Sequence, residues 1–258
     1  MADTSSSPIA TLFPGYFALV MATGIVAIGA NQQNLDLLAQ GLYVITVLAY
    51  VVLAVLLASR MIRYWSNFAA DVTNHAKGFA FLTTVAATNV LASASIVIHG
   101  WWNLAWALWW ASLVLWAAFV YTTLVAVVID RDKPGLQGGI NGSWFLLTVS
   151  TQSIAVVAGL FLTRTDNDAL AFIAIAAFAL GVVLYLIVMT MVFLRWTFHP
   201  LDPTEADPPA WIAAGAVAIT VLAGSNILLA ADQATDRVAR LAPFLEGLVV
   251  TAWATATS

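Results

Sequence analysis

The sequence predicts an all-α membrane protein with about eight transmembrane helices, and three observations carry this prediction. Hydrophobic residues make up 62% of the 258 residues and charged residues only 9%. The mean hydropathy is strongly positive, and the apolar residues are grouped in long runs. Because a soluble domain carries about 25% charged residues to cover its surface, the solvent of this chain is lipid.

The apolar runs have the length that a membrane helix needs, which is about 20 residues for a hydrocarbon core of about 30 Å. Eight of them follow one another, at about 14–30, 36–59, 78–98, 102–129, 140–163, 168–196, 209–231 and 241–258. They are continuous rather than alternating, which excludes a β-barrel, the other structure that satisfies its backbone in lipid. Since the connections are short, we expect one transmembrane transport domain over residues 1–258.

The N-terminal residues, the cysteine content and the net charge exclude several kinds of site and partner. Residues 1–14 contain no Lys or Arg before the first apolar run, so they lack the positive n-region of a signal peptide and we interpret them as mature sequence. The chain has no cysteine, which excludes disulfides and thiolate metal sites. A net charge of −4 gives no reason to expect a nucleic-acid partner.

The basic residues near the helix ends predict the orientation. The side of the N-terminus carries Arg60, Arg63, Lys77, Arg131, Lys133 and Arg195, and the other side carries Arg164, Arg237 and Arg240. This bias predicts a multi-pass protein of the plasma membrane with a cytoplasmic N-terminus. Lys77, Arg131 and Arg195 either concentrate anions at that mouth or only anchor the helices.

The odd-numbered helices differ from the even-numbered ones. Even helices are bulky and apolar, whereas odd helices carry hydroxyl and amide groups in mid-span, where unsatisfied polar groups are costly. The candidates for lining a pathway are Thr23, Gly24, Thr84, Thr88, Asn89, Thr148, Thr151, Gln152, Thr220, Ser225 and Asn226. The alternative for each residue is ordinary packing between membrane helices.

The polar segments also resemble one another. Ala22-Thr23-Gly24, Ala87-Thr88-Asn89, Ser150-Thr151-Gln152 and Gly224-Ser225-Asn226 each precede an apolar run, and successive segments are one helical hairpin apart. We interpret them as four parallel hairpin repeats, at about 14–59, 78–129, 140–196 and 209–258. Such repeats can be arranged around a pore, with the odd helices inside.

A further group of residues bears on the mechanism. Phe17 and Phe145 are aromatic residues on polar helices and are candidates for a constriction, the alternative being packing between helices. Glu246 is a candidate for proton coupling, the alternative being an exposed position near the start of the eighth helix. Every basic residue lies near a helix end, so a pathway would offer hydroxyls, amides and helix dipoles, which bind anions weakly.

No pattern for an enzyme or a cofactor is present. His75, His99 and His199 lie in loops or at helix ends, which gives neither a haem pair nor a metal cluster. No phosphate-binding glycine loop or nucleophile elbow occurs. We therefore expect no enzymatic activity and no cofactor.

Three motifs resemble the tellurite-resistance/dicarboxylate transporter family, which includes the plant slow anion channels and bacterial tellurite-resistance protein A homologues. Residues 13–26 read FPGYFALVMATGIV and resemble the family's first helix. Asn141-Gly142-Ser143-Trp144 with residues 151–156, and residues 215–226, resemble its fifth and seventh helices. The resemblance covers essentially the whole chain.

The resemblance implies ten helices in five hairpins, a pore inside each protomer and assembly as homotrimers. It implies small inorganic or dicarboxylate anions as substrates, such as chloride, nitrate, sulfite or malate. The family's gating phenylalanine lies on a ninth helix. This chain stops at Ser258, so we expect a parent protein that continues with a fifth hairpin, and no gate residue is assigned.

Three functions follow from the sequence. The first is channel-like transport of small anions through a pore lined by the odd-numbered helices. The second is proton-coupled transport of C4-dicarboxylates, or efflux of sulfite or tellurite. The third is a membrane scaffold or sensor, for which polar substitutions on the odd helices would leave anion flux unchanged.

Overall fold

The computed structural model describes residues 7–200, 208–230 and 236–257, and every regular element among them is helical. Eight of the helices in these ranges are long and apolar enough to cross a membrane. They are α1 (Ala18–Gln32), α2 (Asp36–Arg63), α3 (Thr83–His99), α4 (Trp102–Ile129), α5 (Leu146–Leu162), α6 (Asp168–Phe198), α7 (Ile212–Leu229) and α8 (Asp236–Thr257). This confirms the predicted all-α membrane fold.

Some helix ends lie outside the predicted apolar runs. Helix α2 continues past residue 59 to Arg63, and α8 begins at Asp236 rather than near residue 241. Charged residues occupy these terminal turns, so hydropathy alone does not include them. A short helix at Trp65–Val72, between α2 and α3, was not predicted.

Each odd-numbered helix is preceded by a short 3-10 segment. The four segments are Pro14–Phe17, Gly78–Leu82, Gly142–Phe145 and Pro208–Trp211. Two of them begin with proline, which is tolerated in a first helical turn because that turn's amide groups lack intrahelical partners. The recurrence of this feature at the start of every hairpin is a structural counterpart of the predicted sequence repeat.

Short turns close the first two hairpins. Gln33–Leu35 joins α1 to α2, with Asn34 at a φ of 59°. Gly100 ends α3 with a φ of 66°, in the left-handed conformation that glycine adopts without strain. Connections this short keep the two helices of a hairpin antiparallel and adjacent.

The helices group into two compact units, Met1–Lys133 and Pro134–Ser258. In the first unit α1 packs against α2 and α3, and α3 packs against α4. In the second unit α5 packs against α6 and α7, and α7 packs against α8. The order of contacts is the same in both units, as hairpin repeats require, whereas the single transport domain stays a prediction.

The odd-numbered helices α1, α3, α5 and α7, called the inner helices, are more buried than the even-numbered helices α2, α4, α6 and α8, called the outer helices. In their membrane-spanning windows, 89% of the α3 residues and 94% of the α5 residues are buried, against 11 to 22% for α2, α4, α6 and α8. The corresponding values for α1 and α7 are 33% and 39%, so each of these helices buries one face only. Within each unit, the polar odd helices are therefore more buried than their apolar partners.

Candidate anion pathway

In the first unit, the predicted residues of α1 lie against α2 and α3. The Thr23 hydroxyl donates to the Leu19 carbonyl at 2.8 Å and lies 3.0 Å from the Thr46 hydroxyl of α2. Gly24 is buried, and a Cβ at this position would overlap Val90 of α3. Gly24 therefore serves the close approach of α1 to α3.

The predicted residues of α3 are all buried and point to different neighbours. Thr84 donates to the Phe81 carbonyl at 2.7 Å, and Thr88 donates to the Thr84 carbonyl at 2.7 Å. Thr88 also lies 2.9 Å from the Tyr50 hydroxyl of α2. Asn89 accepts a 2.8 Å hydrogen bond from Ser112 of α4. These contacts join α3 to both α2 and α4.

The sequence reasoning missed the polar face of α2. Tyr43, Thr46 and Tyr50 lie on one side of this outer helix, because residues three, four and seven apart share a face. The Tyr43 hydroxyl lies 2.9 Å from the Ser95 hydroxyl of α3. Tyr43 is seven residues from Tyr50, and Ser95 is seven residues from Thr88, so the two pairs lie two helical turns apart. The spacing was visible in the sequence, but the surrounding apolar residues led to α2 being interpreted as a bulky, apolar helix suited to lipid and packing.

In the second unit, α5 carries the most deeply buried polar residues. Thr148 and Gln152 are fully buried and lie one turn apart. The Gln152 amide nitrogen donates to the Phe178 carbonyl of α6 at 3.1 Å, while neither Gln152 Oε1 nor Thr148 Oγ1 has a partner within the described part of the chain. Thr151 donates to the Leu147 carbonyl of its own helix at 2.7 Å.

The predicted residues of α7 are less buried. Thr220 is buried and donates to the Ala216 carbonyl at 2.8 Å. Ser225 is half-buried. Asn226 donates to the Val156 carbonyl of α5 at 3.2 Å and lies beside Gly159. Asn226 thus connects the two inner helices of this unit.

The two constriction candidates occupy matching positions. Phe17 and Phe145 are each the last residue of a 3-10 segment, and both are buried. The Phe17 ring lies 6.1 Å from the Tyr50 ring of α2, and the Phe145 ring lies 5.7 Å from the Tyr185 ring of α6. Each phenylalanine therefore packs against a tyrosine of its own hairpin.

A second pair of matching contacts involves arginine. Arg60, near the end of α2, donates to the Leu12 carbonyl at 2.8 Å. Arg195, near the end of α6, donates to the Gln137 carbonyl at 3.0 Å. In both units, an arginine of the outer helix holds the segment that leads into the inner helix.

Glu246 lies on the exposed side of α8, an outer helix. Helices α1, α3, α5 and α7 contain no Asp, Glu, Lys or Arg. Apart from His99 at the end of α3, their polar side chains are hydroxyls and amides, which offer hydrogen-bond donors to an anion without adding a fixed charge. Such groups favour weak binding and rapid exit.

Eight apolar helices, with polar side chains concentrated on the buried ones, define a multi-pass membrane protein. A family profile described as voltage-dependent anion channel (SLAC1) matches residues 11–257. The chain belongs to this family. The match confirms the family resemblance found in the sequence.

Curated relatives extend the comparison. An uncharacterized transporter of Methanocaldococcus jannaschii is 25% identical over 228 residues, which are 85% of this chain and 65% of the relative. The sulfite efflux pump SSU1 of Trichophyton rubrum is 25% identical over 224 residues, which are 80% of this chain and 59% of the pump. The chain thus spans less than two thirds of the length of these relatives. An uncharacterized membrane protein of Mycobacterium tuberculosis is 49% identical over 49 residues, 19% of this chain and 25% of the relative.

Proposed function

We propose that the protein transports small inorganic anions passively, as a channel, along its inner helices α1, α3, α5 and α7. Membership of the voltage-dependent anion channel family supports anions as the substrate class. The observation that carries the proposal is the burial of hydroxyl and amide groups on helices without Asp, Glu, Lys or Arg. Lipid-facing helices gain nothing from such groups, because an unsatisfied polar group is costly in hydrocarbon.

The similarity to sulfite efflux pumps supports sulfite as one of the anions to be tested beside chloride and nitrate. A proton-coupled carrier of dicarboxylates is the second candidate, since Glu246 lies within a membrane-spanning helix. Its exposed position on an outer helix favours the channel.

The proposal is tested by the current across a planar bilayer that contains the purified protein, under a chloride, nitrate or sulfite gradient at equal pH. We expect a reversal potential near the equilibrium potential of the anion. Absence of current, together with anion uptake that requires a pH gradient, would contradict the channel and favour the carrier.

A pair of threonines provides a matched variant and control. Thr151 on the buried helix α5 and Thr190 on the exposed side of α6 each donate to the carbonyl four residues earlier at 2.7 Å. We expect Thr151→Val to lower the conductance severalfold and Thr190→Val to leave it unchanged. Each variant should change the free energy of unfolding by less than about 1 kcal/mol, which is the scale of a side-chain hydrogen bond in a membrane protein. Equal conductance in the two variants would contradict a pathway lined by Thr151.

We also propose a homotrimer, which the family resemblance implies. The mass of the protein in nanodiscs, measured by native mass spectrometry, should then be three times the 27.5 kDa of the chain. A monomer mass under conditions that retain anion current would contradict this assembly.

A further inference from the structure

A charged cluster lies on the side of the first unit where α1 and α3 begin. Asp71, in the short helix Trp65–Val72, accepts hydrogen bonds from Arg60 through one carboxylate oxygen and from Lys77 through the other, the latter at 3.1 Å. Arg60 also donates to the carbonyls of Leu12 and Asn67, at 2.8 and 3.4 Å. The cluster therefore joins the lead-in segment of α1, the end of α2, the short helix and the start of the 3-10 segment before α3.

The burial of Arg60 makes this cluster unusual. Its side chain is 1% exposed, although its position near a helix end suggested a solvated or interfacial residue. A guanidinium taken out of water requires an anionic partner, because its desolvation costs several kcal/mol. Among the described residues, Asp71 is the carboxylate that provides this partner.

The arrangement has the chemistry of an anion-binding site. A single carboxylate lies between a guanidinium and an ammonium group, and both of its oxygens accept hydrogen bonds. The Arg60 Nε atom is buried without a hydrogen-bond partner in the described ranges, so the guanidinium retains a donor for another acceptor. Asp71 is 20% exposed and Lys77 53% exposed, which leaves the cluster open to water on the Lys77 side.

We propose that Arg60 and Lys77 form a binding site for small inorganic anions, and that Asp71 occupies this site as an internal ligand. The site is separate from the hydroxyls of the inner helices. A bound anion would take over the position of the Asp71 carboxylate and release the short helix from both cations. The site would therefore couple the anion concentration on this side to the position of the segments that lead into α1 and α3.

The test replaces the internal ligand and asks whether a free anion can substitute for it. Asp71→Asn leaves Arg60 buried without a negative charge. We expect this variant to elute as a single folded species when it is extracted in chloride or sulfite, and to aggregate or melt at lower temperature in gluconate, which is too bulky for the site. At saturating chloride, the melting temperature should rise by about 5 °C or more relative to gluconate.

Two further variants control the interpretation. Asp168→Asn removes the carboxylate from a second arginine pair, in which Arg237 is 41% exposed and remains hydrated. This variant should show no anion dependence beyond that of the wild type. The double variant Arg60→Met, Asp71→Asn removes the cation as well and should lose the anion dependence. An anion effect of equal size in Asp168→Asn, or an Asp71→Asn protein that fails to fold in every anion, would overturn the proposal. Because the readout is folding stability, the outcome does not depend on whether the protein conducts anions.

Discussion

Asn89, Gln152 and Asn226 occupy matching places in three of the four sequence repeats, and each forms a hydrogen bond to a neighbouring helix. Asn89 accepts from α4, Gln152 donates to α6, and Asn226 donates to α5. The threonine just before Gln152 instead donates to its own helix. The three amides thus tie helices together.

Gly181 allows Gln152 to reach the backbone of α6. A Cβ at Gly181 would lie 2.5 Å from the Gln152 amide nitrogen, so Gly181→Ala should displace this side chain and destabilise the protein by about 1–3 kcal/mol, as overpacking does. Gly41 lies on the outer helix α2, where an added Cβ would have no atom within 4 Å, and Gly41→Ala is the matched control. Thermal unfolding in detergent checks both, and equal melting temperatures would mean that the Gln152 contact adds no stability.

The position of Glu246 gives another prediction at this scale. Under the channel proposal, its exposed carboxylate on α8 takes no part in transport, so Glu246→Gln should leave the anion current and the reversal potential unchanged. The measurement is the planar-bilayer current at two pH values. Loss of a pH-driven anion uptake in this variant would instead identify the protein as a coupled carrier.

At the scale of the helical elements, the starts of the inner helices are joined in both units through a proline carbonyl. The Thr83 hydroxyl donates to the Pro14 carbonyl at 2.9 Å, which joins the starts of α1 and α3. Gly142 lies against the Pro209 carbonyl, which joins the starts of α5 and α7. These joints hold the inner helices of each unit in fixed register at one end.

The contact between Gly142 and the Pro209 carbonyl leaves no room for a larger side chain at position 142. A Cβ at Gly142 would overlap the carbonyl group of Pro209, and backbone atoms cannot move aside as the end of a flexible side chain can. We expect Gly142→Ala to cost about 3 kcal/mol, at the upper end of overpacking effects. Gly215→Ala on α7, where no atom lies within 4 Å of the added carbon, should be nearly neutral. The difference in melting temperature between the two variants measures the rigidity of the joint.

For the whole molecule, the absence of cysteine makes the predicted orientation directly testable. Asp132, after α4, and Asp166, after α5, are both exposed and lie on opposite sides of the membrane if every helix crosses it. A membrane-impermeant maleimide should label Asp166→Cys in intact cells and Asp132→Cys only after permeabilisation. The reverse pattern would place the N-terminus outside the cell.

Hydropathy and repeat patterns were sufficient to predict the eight helices and the burial of α3 and α5, because lipid imposes both the length and the composition of a membrane helix. They did not predict the tyrosine face of α2 or the burial of Arg60. These features depend on which side of a helix meets its neighbour and on the path of a connecting segment. Composition does not depend on either feature, so the contacts of Tyr50 with Thr88 and of Arg60 with Asp71 could be identified only in the three-dimensional structure.

The outer helices extend past the starts of the inner helices. Tyr50 is level with Phe17 at the start of α1, yet α2 continues to Arg63, and Tyr185 is level with Phe145, yet α6 continues to Phe198. Each extension adds about 20 Å of helix and carries an arginine that is not fully buried in its last turn, Arg63 in α2 and Arg195 in α6. In each unit, this arginine forms a basic rim at the end of the proposed anion pathway where the neutral inner helices begin. The two mouths are then electrostatically unequal, so the current should rectify in symmetric salt, and high ionic strength should weaken the rectification by screening the rim.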